Sequence, residues 1–224
     1  MSINISDDIK HQVREMLLHM ENTVIAKLFL SDDRCLTCNE TKEIIKIIAE
    51  LAPEGKIKLE EYKTGENDDE IEKYGIVNFP AIILEGPIVK GKVLLTGIPS
   101  GYEFGTIIED ILDISLGKVT LKEETLKKLE KIDKALHIQV FITPTCPYCP
   151  QAVRLAHKSA MANPNITGEM VEATEFPELS QKYYVMGVPK TVILQGNKLL
   201  VEFEGAYPED GYISKLLDAY KKAK

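Results

Sequence analysis

Apolar positions in this chain fall in short dense runs separated by amphipathic stretches, and the runs recur. Residues 23–30 (TVIAKLFL) and 137–143 (HIQVFIT) are rich in β-branched and aromatic residues over strand length, so each predicts a buried strand. Each leads through a short loop, Ser31–Arg34 or Pro144–Thr145, into a helical pattern. Ile44, Ile45, Ile47 and Ile48 mark a helix over 41–51; Ala, Val and Leu alternate with Arg154, His157 and Lys158 over 151–161. Pro53-Glu54-Gly55 and Asn163-Pro164-Asn165 end these helices. Strand-like runs return at 81–85 and 190–194, turn at Gly86–Gly91 and Gln195-Gly196-Asn197, and come back at 92–96 and 199–204. Amphipathic helices close each series, over 102–114 and 210–220.

The chain is therefore written twice. Cys35 and Cys146 are 111 residues apart, Pro80 and Pro189 are 109 apart, and Gly97 and Gly205 are 108 apart. Tyr74-Gly75-Ile76-Val77-Asn78-Phe79-Pro80 lies opposite Tyr183-Tyr184-Val185-Met186-Gly187-Val188-Pro189. Each copy opens on its own helix. Ile9, Val13, Met16, Leu17 and Met20 form one stripe; Leu121, Leu126, Leu129 and Ile132 form the other, behind a capping-box pattern from Thr120 to Glu123. The boundary is expected at Leu116-Gly117-Lys118, giving units over 1–117 and 118–224, each long enough for its own core.

Chemistry concentrates in two identical frames, Cys35-Leu36-Thr37-Cys38 and Cys146-Pro147-Tyr148-Cys149, which hold all four cysteines. A thiol where a helix begins meets unsatisfied backbone N–H groups and the positive end of the helix dipole, which favour the thiolate. A second cysteine three residues on can close a disulfide and release whatever the first has bound. The pattern points to thiol–disulfide exchange, with Cys35 and Cys146 attacking and Cys38 and Cys149 resolving. A single zinc held by all four is a weaker reading, because Cys38 and Cys146 are 108 residues apart whereas ribbon pairs lie about 15–20 apart. Two inert disulfides would constrain little, each closing a very short loop. The four histidines (11, 19, 137 and 157) stand at no spacing that makes a cysteine-protease base, and His157 is expected at the surface. Gly97-Ile98-Pro99-Ser100-Gly101 lacks the Lys and Ser/Thr of a nucleotide loop.

Composition narrows this further. The 44% hydrophobic and 28% charged content is that of a globular protein, and the net charge of −8 argues against non-specific nucleic-acid binding. No apolar stretch approaches the roughly 18 residues of a membrane span. Residues 1–14 carry Asp7 and Asp8 and no apolar core, which is not a secretory pattern, so a cytoplasmic location is expected. Basic residues are nearly all Lys, interleaved with Glu, a composition associated with hyperthermophiles, whose intracellular proteins often carry disulfides.

The order helix, strand, Cys-x-x-Cys helix, strand, helix, proline, two strands, helix resembles the thioredoxin fold, once in each half. With both frames intact, the tandem is similar to the protein disulfide oxidoreductases (glutaredoxin-like proteins) of thermophilic archaea and bacteria. Cys146-Pro147-Tyr148-Cys149, preceded by Phe141-Ile142-Thr143-Pro144-Thr145, has the glutaredoxin form; Cys35-Leu36-Thr37-Cys38 has a less usual intervening pair. The resemblance implies an α/β fold: two tandem thioredoxin-like domains, each a central mixed β-sheet flanked by helices. It implies reduction, formation or isomerisation of protein disulfides, with no bound prosthetic group and no metal. No dinucleotide fingerprint is present, so electrons are expected from an external NAD(P)H-dependent, thioredoxin-reductase-like flavoprotein. It also implies cis peptide bonds at Pro80 and Pro189, beside the cysteines, with the backbone of Phe79 and Val188 pairing with the client. Pro147 and Tyr148 complete the substrate-binding set, and Pro150 falls in the first helical turn.

Two departures matter. There is no Trp before either frame, and the acid that thioredoxins bury ahead of the first cysteine is replaced by Leu28 and Val140. Lys27, Glu60, Glu61 and Glu172 are the charged residues that could stand near a site. The sites are expected to differ: Asp32 and Asp33 oppose a thiolate at Cys35, partly countered by Arg34, while Cys146 has no adjacent acid. Cys146 is thus expected to be the main point of attack. Two other readings stay open at this stage: the electron-shuttling thioredoxin-like module of an alkyl hydroperoxide reductase system, and a non-catalytic peptide-binding chaperone module.

Overall fold

The computed structural model of the 224-residue chain describes residues 5–33 and 35–224; the countercharge expected of Arg34 lies outside them. The first unit runs α1 (Asp7–Leu17), β1 (Val24–Leu30), α2 (Cys38–Leu51), β2 (Ile57–Lys63), α3 (Asp68–Tyr74), β3 (Ala81–Glu85), β4 (Lys92–Thr96) and α4 (Tyr102–Ser115). The second repeats it as α5 (Glu123–Leu129), β5 (Leu136–Ile142), α6 (Cys149–Ala162), β6 (Ile166–Glu172), α7 (Pro177–Lys182), β7 (Lys190–Gln195), β8 (Lys198–Glu204) and α8 (Glu209–Lys222). These are two tandem thioredoxin folds.

Their sheets are joined. Eight strands form one mixed sheet in the order β2-β1-β3-β4-β6-β5-β7-β8, with β4 and β6 paired in parallel from Lys92↔Thr167 to Thr96↔Val171. Each unit thus covers the other's open strand edge, satisfying backbone groups that would otherwise invite foreign strands. The remaining edges, β2 and β8, carry Lys58, Glu60, Glu61, Lys198, Glu202 and Glu204, and charged edges resist further pairing.

The second cysteine helix is buried on most sides. In α2 the buried residues keep to one stripe, among them Ile44, Ile45, Ile48 and Leu51. In α6 burial extends to Arg154, His157 and Ser159, because α4 of the first unit lies against it. Small residues permit the close packing: Gly168 on β6 touches the Ala156 carbonyl, where a methyl group would not fit. His157, expected at the surface, is fully buried; Nε2 donates to the Leu94 carbonyl (3.1 Å) and Nδ1 lies 2.6 Å from Asp110 Oδ2. Burial opposes the charge on Asp110, but His157 and Arg154 hold its carboxyl below the usual range. A second polar knot sits on the sheet, where Glu169 accepts from Thr96 Oγ1 (2.6 Å) and Gln139 Nε2 (2.8 Å) and lies 2.6 Å from His137 Nε2.

Local expectations hold unevenly. In the opening stripe Val13, Leu17 and Met20 are buried, while Ile9 and Met16 face solvent. Thr120 does not cap α5: the helix begins at Glu123, and Lys122 precedes it with its N–H donated to Glu209 (2.8 Å). The turn before β4 seals the seam, with Lys90 and Gly91 N–H groups donating to the carbonyls of Met161 (3.2 Å) and Ala160 (2.8 Å).

A methyl group on Gly91 would overlap the carbonyls of Ile166, Asn163 and Ala160. Gly91→Ala is expected to destabilise the protein by about 1–3 kcal/mol, read as a fall of several degrees in melting temperature. Gly105→Ala, on the exposed side of α4 with nothing nearby, is expected to raise stability slightly.

Candidate active site

Each strand-to-helix junction carries one cysteine frame, and both pairs are closed as disulfides with Cα atoms 5.5 Å apart. The helices begin earlier than the apolar pattern predicts, at Cys38 and Cys149 themselves. The first cysteine of each pair therefore stands just ahead of the helix, where the unsatisfied N–H groups of the first turn point. Cys146 donates its N–H to the Thr143 carbonyl (3.1 Å), and Cys149 donates to the Cys146 carbonyl (3.4 Å), so the frame continues the helix as a turn. Pro150 occupies the first helical turn, where its missing N–H leaves no partner unsatisfied. The Ser31 N–H donates to Cys38 Sγ (3.4 Å). In both pairs the second cysteine is the more deeply placed: Cys149 is fully buried and Cys146 nearly so, while Cys38 is buried and Cys35 half-buried.

The peptide bonds Phe79–Pro80 and Val188–Pro189 are both cis. Phe79 shares a groove with Cys35, Leu36 and Val77, so the proline loop and the cysteine frame face each other in the first unit. Leu36 and Val77 are exposed there. The corresponding surface of the second unit presents Tyr148 (68% exposed), Tyr184 (78%) and Met186 (90%), Met186 being the counterpart of Val77. Such exposure of large apolar side chains is unusual on a water-facing surface and marks a binding face.

Of the charged residues that the sequence places near a site, Lys27 is held by Glu85 (2.8 Å) and Tyr74, and Glu61 by Lys42. Glu60 accepts from Tyr62 (2.9 Å). Asp32 pairs with Lys63 (2.7 Å), while Asp33 lines a groove with Phe79. Leu28 and Val140 are fully buried and supply no acid. Glu172 is buried and braces a turn, accepting from Thr174 Oγ1 and the Glu175 N–H, both at 2.7 Å. Among the described residues no cluster of His, Cys, Asp and Glu is arranged to hold a metal.

The acid missing from its usual strand has a substitute that was not expected from the sequence. Glu103, in the first turn of α4, is fully buried, and neither carboxylate oxygen has a hydrogen-bond partner. Its position is set by a close approach: Gly101, at φ +60°, lies against the Pro144 carbonyl, and Tyr102 donates its N–H to that same oxygen (3.0 Å). A side chain at Gly101 would overlap Pro144, two residues ahead of Cys146. Two turns along the same face of α4, Asp110 meets Arg154 and His157 of α6. The helices therefore run side by side in the same direction, and Glu103 lies level with the start of α6, where Cys149 sits. Burial pushes its carboxyl up to about 7; Asp110 adds to this, and Thr106 and His157 oppose it. A signal was present in the sequence: Glu103 and Asp110 fall on the stripe that carries Ile107, Ile111 and Ile114.

A thioredoxin-domain family model matches the chain twice, over residues 27–109 and 136–218. The crystal structure of a protein disulfide oxidoreductase from Aeropyrum pernix K1 is 33% identical, with a TM-score of 0.88 over 99% of this chain and 96% of that one. The chain thus belongs to the thioredoxin family, in the two-unit form of the protein disulfide oxidoreductases. The alkyl hydroperoxide reductase flavoprotein component AhpF of Staphylococcus aureus is 28% identical over 87% of this chain. The chain spans only 34% of that relative's length. The NTD_N/C domain of AhpF from Enterococcus faecalis shares the fold, with a TM-score of 0.80 at 22% identity, over 94% of this chain and 99% of that one.

Glu103 makes stability depend on pH. Its folded value lies above the unfolded one, so its contribution is complete below about pH 4.5 and is lost as pH rises through 7. Glu103→Gln is expected to be more stable than the parent at pH 8, by up to about 3 kcal/mol, and no more stable at pH 4, as measured by urea unfolding.

Proposed function

We propose that the chain exchanges electrons with protein disulfides at two sites, with Cys146 and Cys35 attacking and Cys149 and Cys38 resolving. The observation that carries this is the pair of closed cysteine frames, each where a helix begins, with exposed apolar side chains around them. In the reducing direction, the Cys146 thiolate attacks one sulfur of a client disulfide. The client S–S bond breaks, its other sulfur leaves and takes a proton, and a mixed disulfide forms. Cys149, losing its proton to the neighbouring Glu103 carboxylate, attacks Cys146 Sγ and frees the second client thiol. The enzyme is left with the Cys146–Cys149 disulfide. Run backwards, the same steps oxidise a client. A fully buried carboxyl pushed up to about 7 suits this, since it can take and return a proton near neutrality.

Phe79-Pro80 and Val188-Pro189, with Pro147 and Tyr148, form the client-binding set in this reading. Tyr184 and Met186 join them as exposed apolar contacts. We assign the units to residues 1–117 and 118–224, and the two family matches each fall within one of them. Regeneration of the dithiol form is assigned to an external NAD(P)H-dependent flavoprotein of thioredoxin-reductase type; the likeness to AhpF supports a reductase partner. That likeness also favours a second reading, in which the chain relays electrons to a peroxide-reducing protein. Cytoplasmic residence rests on the sequence; among the described residues no helix is long and apolar enough to cross a membrane.

In dithiothreitol-driven insulin reduction, Cys146→Ser is expected to abolish activity and Cys35→Ser to leave most of it. Glu103→Gln is expected to lower the rate about 10–100-fold, as for loss of a proton-transfer group, and to flatten its pH profile near 7. If neither cysteine change matters, disulfide exchange is not the activity.

A further inference from the structure

The first cysteine pair is not enclosed by its own unit. The groove before it, of about 590 Å³, is lined on one side by Cys35, Leu36, Val77, Asn78 and Phe79 and on the other by Thr174, Glu175, Phe176 and Pro177 of the second unit. Glu175 carries the charge in this lining, and it reaches into the cysteine frame. Its Oε2 accepts from Thr37 Oγ1 at 2.5 Å, between the two cysteines, and its Oε1 accepts from the Ile98 N–H at 2.6 Å. The Glu175 N–H is in turn fixed by buried Glu172.

Resting on the disulfide-exchange reading above, we propose that Glu175 is a positioning residue for the Cys35–Cys38 site, supplied by the second unit. It holds the Leu36–Thr37 turn through the Thr37 hydroxyl and sets an acidic group beside Cys35 that disfavours its thiolate. Several charges share its surroundings. Glu172 from β6 and Glu40 from α2 act on it, Glu178 and Lys182 from α7 line the adjoining groove, and Asp32 is engaged by Lys63. Burial foremost raises the Glu175 carboxyl above the usual range, with Glu172 and Glu40 adding to this; the Ile98 N–H and Thr37 hydroxyl oppose it. The group is thus able to change charge as the first site works, and the second site has its own acid in Glu103, lent by the first unit.

The test uses the full-length protein, fully reduced, alkylated with iodoacetamide across pH, and read cysteine by cysteine from its peptides. Glu175→Gln keeps the shape and a hydrogen-bonding amide but removes the charge. It is expected to lower the pH midpoint of Cys35 alkylation, making Cys35 about three- to tenfold more reactive at pH 6.5, while Cys146 is unchanged. Equilibration with dithiothreitol should move the Cys35–Cys38 pair towards the reduced form by a similar factor, tenfold corresponding to about 30 mV. Thr37→Val approaches the same contact from the other unit. Without that donor the carboxyl keeps its proton to higher pH, so a smaller shift of the same sign is expected. The proposal is overturned if Cys35 does not move in either variant, or if Cys35 and Cys146 move together. Neither readout needs a client, so a failure of insulin reduction would count against disulfide exchange while leaving this result to stand separately.

Discussion

The parallel pairing of β4 with β6 is the contact from which the functional arrangement follows. It is five residue pairs long, yet it fixes the position of everything attached to the two strands. The chain leaving β4 reaches Gly101 and α4, which lie along α6, and so Glu103 is carried to the start of the second cysteine helix. The chain leaving β6 turns at Glu172 and delivers Glu175 to the first cysteine frame. One seam therefore places a carboxyl from each unit at the other's disulfide. Two thioredoxin units joined by a flexible linker would have neither contact.

This exchange makes the sites unequal despite their common fold. The second site has a buried, unpaired acid and an open surface of Tyr148, Tyr184 and Met186. The first has a half-buried acid bonded to its own frame, and a groove partly walled by Phe176 and Pro177. An open apolar face accommodates varied extended segments, whereas a composite groove restricts them. The general client surface is thus on the second unit. The first unit, with its half-buried Cys35, fits a narrower set of partners, including whatever returns electrons to the protein.

Much of this architecture was legible in the sequence because the repeat is a packing pattern. Val24–Leu30 and Leu136–Ile142 are central strands buried on both faces, so they read as continuous apolar runs. Ile57–Lys63 did not stand out, since as an edge strand it is only partly buried and carries Glu60 and Glu61. Ile166–Glu172 was equally inconspicuous for the opposite reason: Gly168 and Glu169 look polar or breaking in one dimension but are demanded by the helix above and the seam beside them. The cysteines and prolines could be found from spacing alone. Glu103, His157 and Glu175 could not be placed, because each acts across the join between units. A charge that is buried only by tertiary contact looks in sequence like any polar residue on a solvated face.

Everything in this mechanism requires that the second cysteine of each frame resolve a covalent intermediate formed on the first. The most direct measurement is mass spectrometry of reduced Cys149→Ser protein after mixing with a disulfide-bonded client, without other reductant. A stable client adduct linked to Cys146, which collapses when dithiothreitol is added, is the predicted result. Absence of any adduct in Cys149→Ser and in Cys38→Ser alike would contradict it.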